Sequence, residues 1–325
     1  MIPRRPLLLA ALAAPALARA QGGQPGAYPT RPINFIIPFA PGGGTDIIAR
    51  ALQPTLQEEL GQAMAIENRA GASGTLGIGQ VTRARPDGYT LAMTTVSASA
   101  VVPPLMNPPP YDILRDQTPV ILAGTVPLVV VVPNDSPVRD FAGFLAHAKA
   151  NPGKLNYSSS GVATQQHLAA ELLSAQAGLS MVHVPFRGTG QAVTEVLAGR
   201  IDVAMDTLPT YLPHIRAGRV RAIAVTMLQR VEWLPDLPTV AESGFPGFDA
   251  NVWYMIIGPG GLPDPITERW VAATNRALAE PAARARLRES GFIVGGGSSA
   301  DAAALLRRDA ERYARVIREA RIRLD

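Results

Sequence analysis

The stretch Ile33-Asn-Phe-Ile-Ile-Pro-Phe-Ala-Pro-Gly-Gly-Gly-Thr-Asp46 decides the fold at the start of this 325-residue chain. Its apolar beginning predicts a buried strand over 33–38, and the segment after Asp46 predicts a helix. The three glycines between them let the backbone approach a ligand closely with its N–H groups exposed. The positive end of the helix dipole favours an anion at the same place, such as a carboxylate or a phosphate.

The beginning of this helix leaves two interpretations open. In the first, the loop binds an anion, and Asp46 either competes with it or binds a ligand amine or a water molecule. In the second, the loop is an ordinary strand–helix connection, and Thr45 or Asp46 caps the helix. If the loop binds a ligand, we expect Gly43 to be required, because a β-branched side chain there would block the close approach of the backbone.

The first twenty residues have the pattern of a secretory signal peptide. Arg4 and Arg5 precede an apolar run over 7–17, and Ala18-Arg-Ala20 predicts cleavage after Ala20. The apolar run is too short to span a membrane. The paired arginines leave the general secretory route and the twin-arginine route both open. We therefore expect a soluble periplasmic protein once the signal peptide is removed.

Charge and cysteine content exclude several classes of function. The formal net charge is +4, and loss of residues 1–20 removes three arginines and no acid, which leaves 27 basic and 26 acidic residues and a charge of +1. Such a balance does not indicate a nucleic-acid partner. The chain has no cysteine, which excludes disulfides, a cysteine nucleophile and a thiolate metal site. We expect no metal, no cofactor and a monomer.

Predicted strands and helices alternate along the chain, which is the pattern of a parallel α/β sheet. The predicted strands are 33–38, 65–68, 89–95, 120–123, 126–132, 155–158, 181–185, 201–205, 222–226 and 252–257. The predicted helices are 46–60, 77–83, 141–150, 164–177, 191–198, 211–217, 265–279, 282–290 and 299–321.

The middle of the chain contains a complete series of strands and helices, bracketed by segments that look like one other α/β unit. This organisation predicts two lobes, the first formed by 28–124 with 227–325 and the second by 125–226. Polar small molecules bind in clefts of this kind, close to the carboxyl ends of the strands and the beginnings of the helices.

A second polar turn lies in the middle segment, where Asn156-Tyr-Ser-Ser-Ser-Gly-Val-Ala-Thr164 again predicts a strand, a loop and a helix. The hydroxyl groups of Ser158, Ser159 and Thr164 form a donor-rich patch that suits an anion. The alternative is that Ser159 and Thr164 only cap the helix.

Two further residues could complete a site between the lobes. Ser97 lies in a polar turn after the strand at 89–95 and could add a hydroxyl contact. Asp206 follows the strand at 201–205, where it could hold a ligand ammonium group or only cap the next helix.

Taken together, these segments resemble the Bug family, the TctC-like solute-binding receptors of tripartite tricarboxylate transporters. The segments that carry the resemblance are Pro38-Phe-Ala-Pro-Gly-Gly-Gly-Thr-Asp46, Glu67-Asn-Arg-Ala-Gly-Ala-Ser-Gly74, Arg85-Pro-Asp-Gly-Tyr-Thr-Leu91, Tyr157-Ser-Ser-Ser-Gly161, His183-Val-Pro-Phe-Arg-Gly188 and Pro235-Asp-Leu-Pro-Thr-Val-Ala-Glu-Ser-Gly244. Their order and spacing along nearly the whole mature chain make the resemblance specific.

The resemblance implies a type II periplasmic-binding-protein fold, in which two α/β lobes close on a small carboxylate. It also implies a partner, either membrane permease subunits or a sensor protein. The implied ligand-binding residues are Phe39, Gly42, Gly43, Thr45 and Asp46 in one lobe and Ser158, Ser159, Gly161 and Thr164 in the other, with Asp206 sensing the distal part of the ligand. The chain departs from the family pattern at 165–166 and 189–191, so we expect a different distal pocket.

Motifs of catalysis do not support an enzyme. The sequence contains no Gly-x-Ser-x-Gly elbow, no His-Glu-x-x-His zinc motif and no phosphate loop. Ser159 and His167 would supply only half of a catalytic triad. We expect a receptor that delivers a carboxylate to a transporter. The alternatives are a secreted α/β hydrolase or transferase, and a ligand-sensing adaptor for a sensor kinase without transport.

Overall fold

The structure is a computed structural model that describes residues 28–320, so the predicted signal peptide lies outside the described residues. Its strands are β1 Ile33–Ile37, β2 Met64–Asn68, β3 Thr90–Thr95, β4 Gln117–Pro133, β5 Asn156–Ser159, β6 Val182–Pro185, β7 Val203–Thr207, β8 Val220–Val225, β9 Asn251–Pro259 and β10 Ile293–Val294. Its α-helices are α1 Gly44–Leu60, α2 Thr75–Thr82, α3 Phe141–Ala150, α4 Gln165–Ala177, α5 Thr189–Leu197, α6 Leu208–Arg216, α7 Asp264–Ala279, α8 Pro281–Glu289 and α9 Ser299–Ala320.

One long strand, β4, runs through both parts of the sheet. Residues 117–127 of β4 pair with β9, and residues 128–131 pair with β7. The sheet order is β2-β1-β3-β9-β4-β7-β5-β6, and β8 and β10 also pair with β4. The prediction of two separate strands at 120–123 and 126–132 was wrong. Gly124 and Thr125 stay in the ladder with β9, because bulges absorb the irregular register.

We call the part of the sheet on the β9 side of β4 the first lobe and the part on the β7 side the second lobe. In the first lobe β1 is parallel to β2 and β3, and in the second lobe β5 is parallel to β6 and β7. The partner of β4 changes between Pro127 and Leu128. The lobe boundaries predicted at 124/125 and 226/227 stay a prediction.

In each lobe, parallel strands are followed by helices at the edge of the sheet where the strands end. In the first lobe β1 leads into α1, and in the second lobe β5, β6 and β7 lead into α4, α5 and α6. The carboxyl ends of these strands therefore face the cleft between the lobes, where ligands bind in such sheets. α6 begins three residues earlier than predicted, because Pro209 is compatible with the first helical turn.

Apolar packing under β1 positions the glycine loop that follows it. Trp270 of α7 is fully buried and stacks on Phe35 of β1, with the ring centroids 6.0 Å apart. The indole Nε1 of Trp270 donates to the Tyr28 hydroxyl at 2.7 Å, so its one polar group has a partner. The long α7 of the last third of the chain thus holds the first strand in place.

Within residues 28–320, none of the helices combines the length and the apolar character needed to cross a membrane.

The Trp270→Ala substitution should lower the free energy of unfolding by about 3–5 kcal/mol, because it removes a buried indole and leaves a cavity against Phe35. Urea denaturation of the variant and the parent measures the difference. The control is Leu228→Ala, since Leu228 is 54% exposed and its truncation should change stability by less than about 0.5 kcal/mol. Equal losses in both variants would contradict this account of the core.

Candidate functional site

Four helices begin around one cavity between the two lobes. The residues that precede the first turns are Gly43 for α1, Thr164 for α4, Gly188 for α5 and Thr207 for α6, and none of them makes a side-chain cap hydrogen bond. The first N–H groups of a helix have no intrahelical acceptor, and the helix dipole makes this end positive. The cavity therefore lies in a positive field produced by the backbone.

The cavity has a volume of about 20 Å³, which is room for about one water molecule. Its lining residues come from both lobes and carry no formal charge at neutral pH. They are Phe39, Gly43, Gly44, Thr45, Thr95, Ser97, Ser160, Gln166, Thr189, Thr207, Val252 and Tyr254. Backbone N–H groups, hydroxyl groups and one amide are thus the polar groups available to a ligand.

In the glycine loop, Asp46 shapes the backbone and does not line the cavity. One carboxylate oxygen accepts from the Gly42 N–H at 3.1 Å, and the other accepts from Arg50 Nε at 2.9 Å and Asn68 Nδ2 at 3.1 Å. Burial alone would raise the pKa of Asp46, but the hydrogen bonds from Arg50, Gly42 and Asn68 hold it below its ordinary value. The prediction that Thr45 or Asp46 caps α1 was wrong, because the cap position is Gly43.

Contacts and backbone conformation within the protein require glycine at two positions of this loop. Gly42 has φ +83°, a left-handed conformation that favours glycine. A Cβ atom on Gly44 would overlap the Tyr254 hydroxyl group. A Cβ atom on Gly43 would have no neighbouring protein atom closer than 3.7 Å, so the expectation that a ligand requires glycine at this position stays a prediction.

In the second loop, the predicted hydroxyl groups hold the backbone in place. Ser159 Oγ donates to Gly161 O at 2.9 Å, and Thr164 Oγ1 donates to the same oxygen at 2.7 Å. Ser158 Oγ is buried without a hydrogen-bond partner. Ser160 is the serine of this loop that lines the cavity. Thr164 occupies the cap position of α4, but its hydroxyl group makes no cap hydrogen bond.

Two stacked imidazole rings support the second loop from behind. The rings of His167 and His183 are 3.9 Å apart with an angle of 6° between their planes. His167 Nδ1 accepts from the Ala163 N–H at 2.9 Å, and His183 Nε2 lies 2.7 Å from Ser159 Oγ. Burial lowers the pKa of both histidines to about 4, so both are neutral at pH 7. His167 has a structural role, and the partner of Ser159 is His183.

Direct contacts across the cleft show that the lobes are closed. The Gln165 N–H of the second lobe donates to Ser97 Oγ of the first lobe at 2.9 Å, and Gln165 Nε2 donates to the Tyr313 hydroxyl at 2.7 Å. Ser73 Oγ donates to Val162 O at 2.7 Å. These bonds join the second loop and the beginning of α4 to the first lobe, and Ser97 is the predicted site residue among their partners.

The second carboxylate near the cavity, Asp206, is fully buried at the end of β7. Its Oδ1 accepts from the Thr207 N–H at 2.7 Å, from Thr189 Oγ1 at 2.9 Å and from Gln166 Nε2 at 3.0 Å, whereas Oδ2 has no partner among residues 28–320. Burial raises the pKa of Asp206 to about 6, although the three hydrogen bonds favour the ionised form. The prediction that Asp206 only caps the next helix was wrong, because Thr207 holds the cap position of α6 and Asp206 bonds to three residues of the cavity wall.

The structure therefore divides the predicted site residues into two groups. Those that line the cavity are Phe39, Gly43, Thr45 and Ser97. Those that lie buried behind the lining are Asp46, Ser158, Ser159, Gly161, Thr164 and Asp206, whereas Gly42 is exposed and does not line the cavity. Sequence analysis missed Gly44, Thr95, Ser160, Gln166, Thr189, Thr207, Val252 and Tyr254 as lining residues. Thr189 and Thr207 could have been found, because Thr189 begins α5 shortly after β6 and Thr207 ends β7 directly before α6. Within residues 28–320, no group of three or more histidine and acidic side chains is arranged to hold a metal ion.

The family described as "Tripartite tricarboxylate transporter family receptor" matches residues 48–322 of this chain. The chain belongs to this TctC family. The resemblance inferred from the motifs is therefore confirmed. A relative from a Pseudomonas species, named "UPF0065 protein in tcbD-tcbE intergenic region", is 41% identical over 298 residues, which cover 91% of this chain and 88% of the relative.

Two solved structures of similar proteins agree with the fold. The structure of Rpa4515 from R. palustris with adipate is 32% identical, with a TM-score of 0.88, and covers 91% of this chain and 99% of that one. The structure of MatC from Rhodopseudomonas palustris with bound malate is 31% identical, with a TM-score of 0.85, and covers 89% and 100%. The predicted two-lobe periplasmic-binding-protein fold is confirmed by these neighbours.

The Asp206→Asn variant should be more stable than the parent at pH 7.5, and its advantage should disappear by pH 4. Burial raises the pKa of Asp206 from 3.8 to about 6, so the folded state holds this proton more tightly than the unfolded state does. The parent therefore loses stability as the pH rises through this window, by at most about 3 kcal/mol. Urea denaturation of both proteins at several pH values measures the difference. A variant that is less stable than the parent at pH 7.5 would contradict this interpretation.

Proposed function

We propose that this chain is a periplasmic solute-binding protein that captures a small carboxylate between its lobes and delivers it to a tripartite tricarboxylate-type transporter. The observation that carries the proposal is the meeting of four helix N-termini at one cavity without a charged side chain in its lining, and at none of them does the side chain of the cap residue bind the helix N–H groups. Such an arrangement is a site for an anion. The adipate and malate bound to the two solved structures support a carboxylate as that anion.

Within this proposal, the ligand carboxylate lies against the first turn of α1 and the hydroxyl groups of the first lobe. Thr45 and Ser97 line the cavity there, and the N–H groups of Gly43 and Gly44 belong to the uncapped beginning of α1. Phe39 supplies an apolar contact on the same side. The predicted residues behind the lining hold these groups in position.

Closure of the lobes links ligand binding to a change of shape. A cavity of about 20 Å³ is too small to hold a carboxylic acid of several carbons, so the lobes have to separate to admit the ligand and then close around it less tightly than in this structure. The bonds of Gln165 to Ser97 and Tyr313 form only when the lobes meet. A ligand that bridges both lobes favours the closed state by its differential affinity, and a permease then recognises that state.

The geometry of Ser159 does not favour the alternative of a hydrolase. Ser159 Oγ lies 2.7 Å from His183 Nε2, but the serine is fully buried, donates to Gly161 O and does not line the cavity. A nucleophile has to reach the substrate, and its base needs an orienting group. The other alternative, a sensing adaptor, uses the same ligand site and differs only in the partner.

Thermal unfolding of residues 21–325 with a panel of carboxylates tests the proposal, with the corresponding amides as controls. A ligand that binds only the folded state raises the melting temperature as its concentration exceeds its dissociation constant. We expect a rise with at least one carboxylate and none with its amide. The absence of any shift across the panel, in a protein shown to be folded, would contradict the proposal.

Gly190→Ala should prevent ligand binding by holding the lobes apart. A Cβ atom on Gly190, in α5 of the second lobe, would overlap the carbonyl oxygen of Pro41 in the first lobe. The closed state then becomes rare, and the apparent affinity falls in proportion, by at least about tenfold. Calorimetric titration measures the affinity, and small-angle scattering with ligand reports closure.

The control for this prediction is Gly79→Ala in α2, which does not line the cavity. It adds the same methyl group, but that Cβ atom meets only the flexible end of the Arg83 side chain. The control should close and bind as the parent does. Tight binding by Gly190→Ala would show that closure at this contact is not needed.

A further inference from the structure

Asp206 determines which atoms the second lobe presents to the cavity. Three donors converge on its Oδ1, namely Gln166 Nε2, Thr189 Oγ1 and the Thr207 N–H, at 2.7–3.0 Å. Gln166, Thr189 and Thr207 all line the cavity. Asp206 itself is fully buried behind them, and among the described residues no arginine, lysine or histidine side chain bonds to it. The carboxylate therefore takes its hydrogen bonds from the wall of the site.

The bonds to Asp206 determine which polar atoms Thr189 and Gln166 have left for a ligand. A threonine hydroxyl has one proton, which Thr189 gives to Asp206, and its oxygen accepts the second amide proton of Gln166 at 3.5 Å, so Thr189 has no proton for a ligand. Gln166 gives an amide proton to Asp206. If the amide were reversed, Gln166 Oε1 would face Asp206 Oδ1, and the two acceptor oxygens would repel each other. The polar atom that Gln166 can still offer is Oε1, which has no hydrogen-bond partner among residues 28–320. This part of the wall therefore presents an acceptor.

The opposite wall presents donors. Ser97 Oγ already accepts from the Gln165 N–H at 2.9 Å, so its own proton is free for a ligand. The first N–H groups of α1, at Gly44 and Thr45, have no intrahelical acceptor. A carboxylate satisfies these donors, but it cannot satisfy the acceptor of Gln166.

We propose that the ligand is a small carboxylate that carries a hydrogen-bond donor, a hydroxyl or an ammonium group, and that Asp206 is the positioning residue that selects it. This inference rests on the proposed function and deepens it by naming the class of ligand. A plain carboxylate would leave Gln166 Oε1 buried and unpaired on closure, which weakens its binding.

Calorimetric titration of residues 21–325 at pH 7.5 tests the inference with two matched sets of ligands. One set is succinate, malate and aspartate, and the other is propionate, lactate and alanine. Within each set the three molecules share a carbon skeleton and differ by a hydrogen, a hydroxyl or an ammonium group. We expect the hydroxyl or the ammonium member of one set to bind at least about tenfold more tightly than its parent. Comparison of the hydroxyl and the ammonium member of each set shows which donor group is preferred.

The outcomes separate this inference from the function on which it rests. If succinate or propionate binds as tightly as its substituted partners, the inference is wrong and the receptor function stands. The same holds if the panel yields only carboxylates without a donor group. If a different donor-bearing carboxylate binds, its analogue without the donor should bind at least about tenfold more weakly, and equal affinity would overturn the inference. If no carboxylate stabilises the folded protein, the proposed function itself fails.

Three variants test the role of Asp206 and the acceptor on Gln166. Asp206→Leu removes the acceptor that draws the three donors away from the cavity at similar size, so the ratio of affinities for the substituted ligand and its parent should fall to within about threefold. Gln166→Met removes the acceptor at similar length and should lower the same ratio. Asp202→Leu is the matched control, since this exposed acid lies directly before β7 and bonds to the Asn156 N–H, away from the cavity.

The ratio of affinities for the substituted ligand and its parent would not change if Asp206 had only a structural role, because a general loss of order weakens the binding of both ligands alike. Melting temperatures without ligand show that each variant is folded. An unchanged ratio in both Asp206→Leu and Gln166→Met, or an equal fall in Asp202→Leu, would overturn the assignment of Asp206.

Discussion

The pairing of β4 with strands of both lobes is the constraint on which the site depends. β4 pairs with β9 along one part of its length and with β7 along another. β9 brings Val252 and Tyr254 to the cavity, and β7 brings Asp206 and Thr207 to the same place. Because one continuous strand sets both registers, the two walls of the cavity have defined positions even though they belong to different lobes.

The donors of the site are backbone N–H and hydroxyl groups, and its lining includes no cationic side chain. Four helix beginnings supply partial charges that are fixed by the fold, and the lining supplies hydroxyl groups. Arg50, the arginine beside the glycine loop, pairs with Asp46 and so contributes no free charge. A carboxylate held by N–H and hydroxyl groups can leave again when the lobes open, because no buried ion pair has to be broken. This suits a protein that has to release its ligand.

Buried carboxylates organise both lobes in different ways. Asp46 has partners for both oxygens, and its pKa is held low by Arg50, Gly42 and Asn68. Asp206 has partners on one oxygen only, and burial raises its pKa to about 6. The first arrangement stabilises a loop, whereas the second keeps a destabilising group in the fold. A destabilising buried group of this kind is typical of a functional site.

The sequence by itself determined the elements that depend on local chemistry. The strand at Ile33–Ile37, the glycine turn and the helix after it are encoded by contiguous residues, as are the second polar loop and most of the helices. The motifs also identified the family, because their order along the chain is visible without a structure. These features were predictable because hydrophobic periodicity and turn chemistry act over a few residues.

Tertiary structure decided which side chains face the ligand. Ser160 lines the cavity in place of Ser158 and Ser159, because His183 and Gly161 hold Ser159 within its own lobe. Tyr254 reaches the cavity from β9, more than two hundred residues after the glycine loop, by pairing that no local pattern specifies. The direction of the Gln166 amide likewise depends on Asp206, forty residues away. Side-chain orientation in a site is set by contacts between distant segments, and such contacts exist only once the chain has folded.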